Sequence, residues 1–343
     1  MIQSLKELPE FLNYNRAILF KSILCLLSLN QYNKNTVLAL PFFQYTNHKQ
    51  KMRVRLFLFF FITYSIASHA QLSDLARLDF TYIPNKGSDV EYTRSRFLFN
   101  YPLKLNKEGQ YLFLGVDYSN VHLRFKDDML PFDRELLNDF KLLDFTIGFT
   151  KPLKKGWRLG VRFQPGISTN NAAKTLNAND LVFSGDVVFI KKFENYTDKP
   201  SRLILGLSYS QNRGYVFPLP FISYYEKFRP DWSFNIGIPK TNLQYHLSDR
   251  HRFKLYAQLD GFTSNIQNGA LVNGNEYAEL INMSLVNGGL QYEFHFTDHL
   301  QLDLRAAYNF NLNNKLKDGR NNTLLTIDND SRSYFRAVLR FKI

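Results

Sequence analysis

From Gln71 to the C-terminus, apolar and polar residues alternate with a period of two. Phe335, Ala337, Leu339 and Phe341 alternate with Tyr334, Arg336, Val338, Arg340 and Lys342. Leu300, Leu302, Leu304, Ala306, Tyr308 and Phe310 alternate with Gln301, Asp303, Arg305, Ala307 and Asn309. Leu290, Tyr292, Phe294 and Phe296 oppose Gln291, Glu293 and His295, and the segments Leu143–Phe149 and Trp157–Phe163 repeat the pattern. Successive side chains of a strand point to opposite faces, so each segment predicts a strand with one greasy and one polar face.

Soluble sandwiches alternate as well, and two further features separate the readings. Many segments run ten residues or more, which suits a tilted membrane-spanning strand of about 9–11 residues better than the usual ~5–6 of soluble sheets. The connections also alternate in length. Short ones lie near Asn106–Gly109, Pro152–Gly156, Glu194–Pro200, Arg229–Asp231, Ser248–His251 and Thr297–His299. Long polar ones lie near Lys126–Phe140, Ser168–Asp180, Asn212–Leu219, Thr263–Asn282 and Asn311–Arg332. Short turns on one side and long loops on the other are the habit of outer-membrane barrels. The exception is Pro239-Lys240-Thr241, a short link in the long-loop series. If the pieces Trp232–Ile238 and Asn242–Leu247 both span, the count is 14; if they fold together, it is 12. The expectation is an all-β, transmembrane, antiparallel up-and-down β-barrel of 12–14 strands, running from Arg77 to Ile343.

The first 70 residues read differently. Met52, Arg53 and Arg55 open a positive segment, Leu56–Ile62 is apolar, and Ser68-His69-Ala70 places small residues before Gln71. That order predicts a signal peptide over residues 52–70, cleaved between Ala70 and Gln71. Residues 1–51 stand upstream of a signal that belongs at an N-terminus, so they read as an extension from a translation start placed too early. Residues 71–343 form the barrel domain.

Composition narrows the classes. Cys25 is the single cysteine, which excludes a disulfide framework and any multi-cysteine metal site. No run of about 18 uncharged apolar residues occurs, so no helical span is expected. The whole chain carries a net charge of +13. Loss of residues 1–70 removes eight basic and two acidic side chains and leaves +7. These charges are scattered along strands rather than clustered on one face, so nucleic acid is not an expected partner.

The Ser68-His69-Ala70-Gln71 junction, the aromatic alternating strands and the C-terminal Phe335–Ile343 strand resemble uncharacterised outer-membrane β-barrel proteins of the Bacteroidota. The Gly237-Ile238-Pro239 turn resembles a recurrent element in one of their families, a domain of unknown function. The resemblance covers roughly Gln71–Ile343. It implies a bacterial outer-membrane location and brings no catalytic residues with it. Ile343 departs from the aromatic last residue of many barrels, although Phe341 lies two before it on the same face.

Complete catalytic motifs are missing. Gly206-Leu207-Ser208-Tyr209-Ser210 starts like a nucleophile elbow and lacks its final glycine. His295 and His299 flank the Thr297-Asp298 turn instead of sharing a helix face. Asp328-Asn329-Asp330 lacks the glycine and the further oxygen ligand of a calcium loop. No metal or cofactor is expected. What remains is a series on the polar faces that should line the lumen: Arg94, Arg96, Asp117, Asp144, Arg158, Arg162, Asp186, Glu293, Asp303, Arg305, Arg336 and Arg340. Paired charges would fill a closed barrel, and unpaired ones would set ion preference in a pore. Tyr101, Tyr118, Trp157, Tyr209, Trp232, Tyr292 and Tyr308 are the expected interface aromatics.

The function expected from the sequence is a non-enzymatic barrel, a small passive pore or a binder of a small apolar or anionic solute. Its partners would be outer-membrane lipid and the barrel-assembly machinery, the latter through the C-terminal strand. One alternative is a lipid hydrolase with a Ser and a His on adjacent strands, for which His122 and His246 are the strand histidines. Another is an exported soluble β-sandwich that binds a partner.

Overall fold

The computed structural model describes residues 74–86, 90–126, 130–193, 200–328 and 330–342. The signal-peptide segment, its cleavage site at Ala70 and Gln71, and residues 1–51 lie outside them.

The described residues form one antiparallel sheet closed on itself. The wall strands are β1 (Asp74–Ile83), β2 (Val90–Lys104), β3 (Tyr111–Phe125), β4 (Asp139–Pro152), β5 (Trp157–Thr169), β6 (Leu181–Phe193) and β7 (Ser201–Ser210). They continue with β8 (Leu219–Glu226), β9 (Trp232–Ile238), β10 (Lys240–His246), β11 (His251–Val272), β12 (Glu276–His295), β13 (Leu300–Lys317) and β15 (Ser333–Lys342). Each pairs with its neighbour in chain order, and the circuit closes where β15 pairs with both β13 and β1. The short strand β14 (Thr323–Asp328) pairs with the far end of β13 and is not part of the circuit. The barrel therefore has 14 strands, because β9 and β10 both belong to the wall. A sandwich of two facing sheets is excluded by this closure, which leaves no wall strand with an unpaired edge along its whole length.

The outward faces are the greasy ones. Leu78, Phe80, Phe145, Ile147, Phe163, Leu207 and Leu290 all stand exposed on the outside. Tyr101, Tyr118, Tyr209 and Tyr308 are exposed as well. Near the short turns, Trp232 packs on Tyr245 at 4.9 Å, and the hydroxyl of Tyr292 meets His251 Nδ1 at 2.7 Å. No helix among the described residues is long and apolar enough to cross a membrane, a statement that does not bear on strands.

The largest departure from the sequence-based expectation concerns Thr263–Asn282. It is not a long polar loop. β11 and β12 run as a continuous hairpin through this stretch, turning only at Asn273–Asn275. β10 pairs with β11 no further than Gln258. Beyond that point β11 leaves the wall and crosses the loop end of the barrel. Its Asn265 bridges Thr169 on β5, and its Val272 bridges Phe132 in the β3–β4 loop. Gly261 marks the bend with φ +145°, and a Cβ there would sit 2.2 Å from the Met283 carbonyl oxygen. Residues 261–267 are all buried, on both faces of the strand. The crossing arm carries Phe262, Ile266, Ile281, Met283 and Leu285 into one apolar cluster with Leu123, Phe140 and Tyr92 of the wall. Burying such side chains stabilises by roughly 1.5–3 kcal/mol each. The arm is thus a packed lid over the loop end.

Polar bonds fasten the lid at its far side. Asp180, at the end of the β5–β6 loop, accepts from Asn265 Nδ2 at 2.7 Å and Gln267 Nε2 at 2.6 Å. It also accepts from the Asn177 backbone N–H at 2.8 Å. Burial alone would raise its pKa, but these donors hold it below the usual aspartate value.

Candidate functional site

Beneath the lid, the inward face of nearly every strand carries charge. Neighbouring strands pair first, as cross-strand positions allow. Arg96 donates to Asp117 with Nε 2.7 Å from Oδ1. Arg162 binds Asp186, which also accepts from Ser208. Lys254 meets Glu293 at 2.6 Å, and Arg340 meets Asp303 at 2.9 Å.

A second set of bonds crosses the lumen. Asp260, just before the bend of β11, accepts from Arg94 of β2 at 3.0 Å, from Arg336 of β15 at 3.2 Å and from the Tyr334 hydroxyl at 2.9 Å. Arg336 also binds Asp79 of β1. The β7–β8 loop folds inward beside this network. Asn212 donates to both oxygens of Asp144 at 2.8 and 3.0 Å, and its carbonyl accepts from the Thr263 N–H of the lid. Asn282 and Ser284 of the lid both donate to the Gly214 carbonyl at 2.8 Å. Tyr215 donates to the Leu285 carbonyl at 2.8 Å, and burial followed by the Asp260 charge pushes its phenol up to about 12.

These elements enclose a cavity of about 520 Å³. Arg94, Arg96, Asp117, Asp144, Arg162, Asp186, Arg305, Arg336 and Arg340 of the sequence-predicted series line it together, joined by Arg77, Arg213, Lys240 and Asp260. Arg158, Glu293 and Asp303 lie elsewhere. Arg158 caps the Gly109 carbonyl near a short turn, while Glu293 and Asp303 serve the pairs above. Basic side chains outnumber acidic ones around the cavity.

Two of its cations have no carboxylate within ion-pair distance among the described residues. Arg213 donates to the Gln164 side-chain oxygen at 2.9 Å. Lys240 donates to Gln291 at 3.3 Å and lies over the Tyr256 ring at 5.5 Å. Neither belonged to the sequence-predicted series. Arg213 stands in a loop that showed no periodicity, and Lys240 follows the proline that interrupts β9 and β10. A third cation, Arg305, is 3.8 Å from Asp303 and donates to Gln258 at 3.0 Å.

A smaller cavity of about 360 Å³ adjoins the first on the short-turn side, and Arg162, Asp186 and Phe221 line both. Its character is different. Phe113, Val188, Ile190 and Ile204 line it, and Gly148 and Gly160 leave its wall without side chains.

The strand histidines have separate settings. His122 contacts Asp139 at 2.9 Å with both side chains exposed. His246 Nε2 lies 2.9 Å from the Ser233 hydroxyl on the adjacent strand, the kind of contact the hydrolase alternative requires of one of its two candidate histidines, although the sequence did not single out Ser233. Ser233 is fully buried, the His246 Nδ1 neighbour is Gln244 rather than a carboxylate, and neither Ser233 nor His246 lines the two cavities. Ser208, in the incomplete elbow, is bound to Asp186. Among the described residues no group of three or more His, Cys, Asp or Glu side chains is placed to hold a metal.

The model of one family, described as a domain of unknown function (DUF6268), matches residues 43–343. The chain belongs to this family. No curated protein sequence matches it. Among solved structures it is similar to the NanC porin, with 10% identity, a TM-score of 0.35, and 78% of this chain and 100% of that chain covered. It is similar also to LpxR from Salmonella typhimurium, with 9% identity, a TM-score of 0.38, and 78% and 100% covered. The toluene transporter TodX of Pseudomonas putida shares 8% identity and a TM-score of 0.32, with 79% of this chain and 89% of that chain covered.

Proposed function

We propose that this DUF6268 protein is a bacterial outer-membrane barrel, without enzymatic activity, that holds a small anionic solute in its lumen instead of conducting ions freely. The exposed belt of Leu, Ile and Phe on the outward face fits a hydrocarbon surround. On this reading the short turns face the periplasm and the lid faces out. The observation that carries the solute reading is the presence in the cavity of two basic groups, Arg213 and Lys240, that have no carboxylate within ion-pair distance among the described residues. Burying an unpaired cation is costly, and an anion in the cavity beside either group would offset that cost. The lid and its apolar cluster argue against a standing pore. The buried Ser233 supports a structural part for the Ser233–His246 contact.

The test is binding of ¹³C-acetate to the folded barrel in zwitterionic nanodiscs, beside planar-bilayer recordings. Expected results are saturable acetate binding, a tenfold or greater loss in the Arg213→Gln/Lys240→Gln double variant, and no steady conductance. A steady conductance from the unaltered protein, or binding that ignores both substitutions, would remove the proposal.

A further inference from the structure

We infer that the anion carries a long apolar chain: the lumen is a two-chamber site for a single-chain anionic amphiphile, head in the cationic cavity and chain in the apolar one. This rests on the anion reading above and adds the chemical class of the ligand. The argument starts from the inward faces of β3 to β7. The same alternation that places Asp117, Arg162 and Asp186 inward places Phe113, Val188 and Ile204 inward one or two pairs nearer the short turns. A lumen that only had to be filled by paired charges would continue the polar ladder. Here it gives way to a pocket lined mainly by apolar side chains, with Asn100, Thr146 and Thr150 at its margin, in which Val188 and Phe113 pack close over Gly160 and Gly148. Apolar surface facing a water-filled lumen is unfavourable, and a hydrocarbon chain would remove it from water.

The wall offers a route that the lid closes elsewhere. β9 and β10 are the shortest wall strands, with 7 residues each. They end at Pro239, beside Leu259, where β11 departs inward. The cationic cavity reaches this gap, since Phe217, Pro220, Pro239 and Leu259 are in its lining. The outer surface on either side carries the exposed Ile222, Ile236 and Ile238. An amphiphile moving in from the membrane would meet apolar side chains at the gap and Lys240 immediately inside it.

The experiment uses the mature barrel in zwitterionic nanodiscs with decanoate, acetate and decyltrimethylammonium as probes, and with empty nanodiscs as the background. Decanoate is expected to bind at least tenfold tighter than acetate, and the cationic amphiphile to show no binding above background. Val188→Phe, which fills the apolar chamber, should reduce decanoate affinity tenfold while leaving acetate affinity unchanged. A heat-modifiable gel shift verifies that the variant is folded. The chain-length series from acetate to decanoate in the unaltered protein needs no variant. Equal affinities along that series, with acetate still bound, would overturn this inference alone. Loss of acetate and decanoate binding together would overturn the anion reading with it. Equal binding of decanoate and decyltrimethylammonium would show a merely greasy pocket and reject the proposal.

Discussion

Arg94 on β2 and Asp260 on β11 stand 3.0 Å apart across the lumen, although their strands are not neighbours in the wall. Asp260 is the residue before the Gly261 bend, so the ion pair holds the point where β11 stops being wall and becomes lid. Arg336 and Tyr334 bind the same carboxylate. Asp260→Ala would leave two buried arginines short of a partner. Removing one member of a buried pair costs about 3–5 kcal/mol. The expected outcome is a lower midpoint for heat-induced loss of the folded gel form. An unchanged midpoint would show that Asp260 does not hold the bend.

What could be read from the sequence was whatever belongs to the barrel wall. Strands such as Leu300–Phe310 and Tyr334–Lys342 have the barrel exterior on one side and the lumen on the other, so their alternation is clean. Even the choice between 12 and 14 strands was reduced to one question, whether the pieces flanking Pro239 span. The lid was invisible for the same physical reason. Thr263, Ser264, Asn265, Ile266 and Gln267 are buried on both faces, so no apolar side repeats every second residue. The Asn265 amide and the Thr263 and Gln267 backbone N–H groups are met instead by Asp180, Asn212 and Asn170. Arg213 was missed likewise, because its loop turns into the barrel and carries no period.

Gly261 gives the bend its second requirement. At φ +145° a side chain is strained, and a Cβ would press on the Met283 carbonyl. Gly261→Val should release the arm at a strain cost on the order of 1–3 kcal/mol. Limited proteolysis should then cut within residues 262–282, while the gel shift of the closed barrel persists, because the wall pairs below Leu259 are untouched. Continued resistance of that stretch would argue that packing alone seats the lid.

Asp180 makes lid closure pH-dependent at the acid end. Its folded pKa is depressed, so its contribution is fully present above the unfolded value of about 3.9. It is lost as pH falls through the lower, folded value. Protection of the Asn265–Gln267 amides from hydrogen exchange, taken relative to the intrinsic rate at each pH, should therefore stay high at neutral pH and fall only below about pH 4. Asp180→Asn should exchange faster at neutral pH and lose that acid step. An acid step of the same size in the variant would assign it to another group.

Among the described residues, the Ser233–His246 contact is the arrangement that favours the hydrolase alternative. Its serine is sealed from solvent and lacks a carboxylate-oriented histidine, two conditions a nucleophile of this type needs. Phospholipid and acyl-ester turnover by the purified barrel should sit at background and not change in Ser233→Ala or His246→Ala. Turnover that disappears in both variants would make the protein an enzyme.

The lid also predicts its own removal. Asp260 and Leu285 are direct ladder partners, so replacing residues 261–284 with an Asn-Gly turn closes the hairpin at a pair the barrel already forms. The apolar cluster loses Phe262, Ile266, Ile281 and Met283, and the β7–β8 loop loses its bonds to Thr263 and Asn282. A barrel so shortened should retain its heat-modifiable shift and acquire a steady conductance. Because cations outnumber carboxylates along the exposed cavity, chloride should permeate better than potassium, as rings of basic side chains favour anions. Adding Arg213→Glu and Lys240→Glu should lower or reverse that preference. A silent shortened barrel would mean that the β7–β8 loop, not the arm, closes the lumen, and a cation-selective one would contradict the charge reading of the cavity.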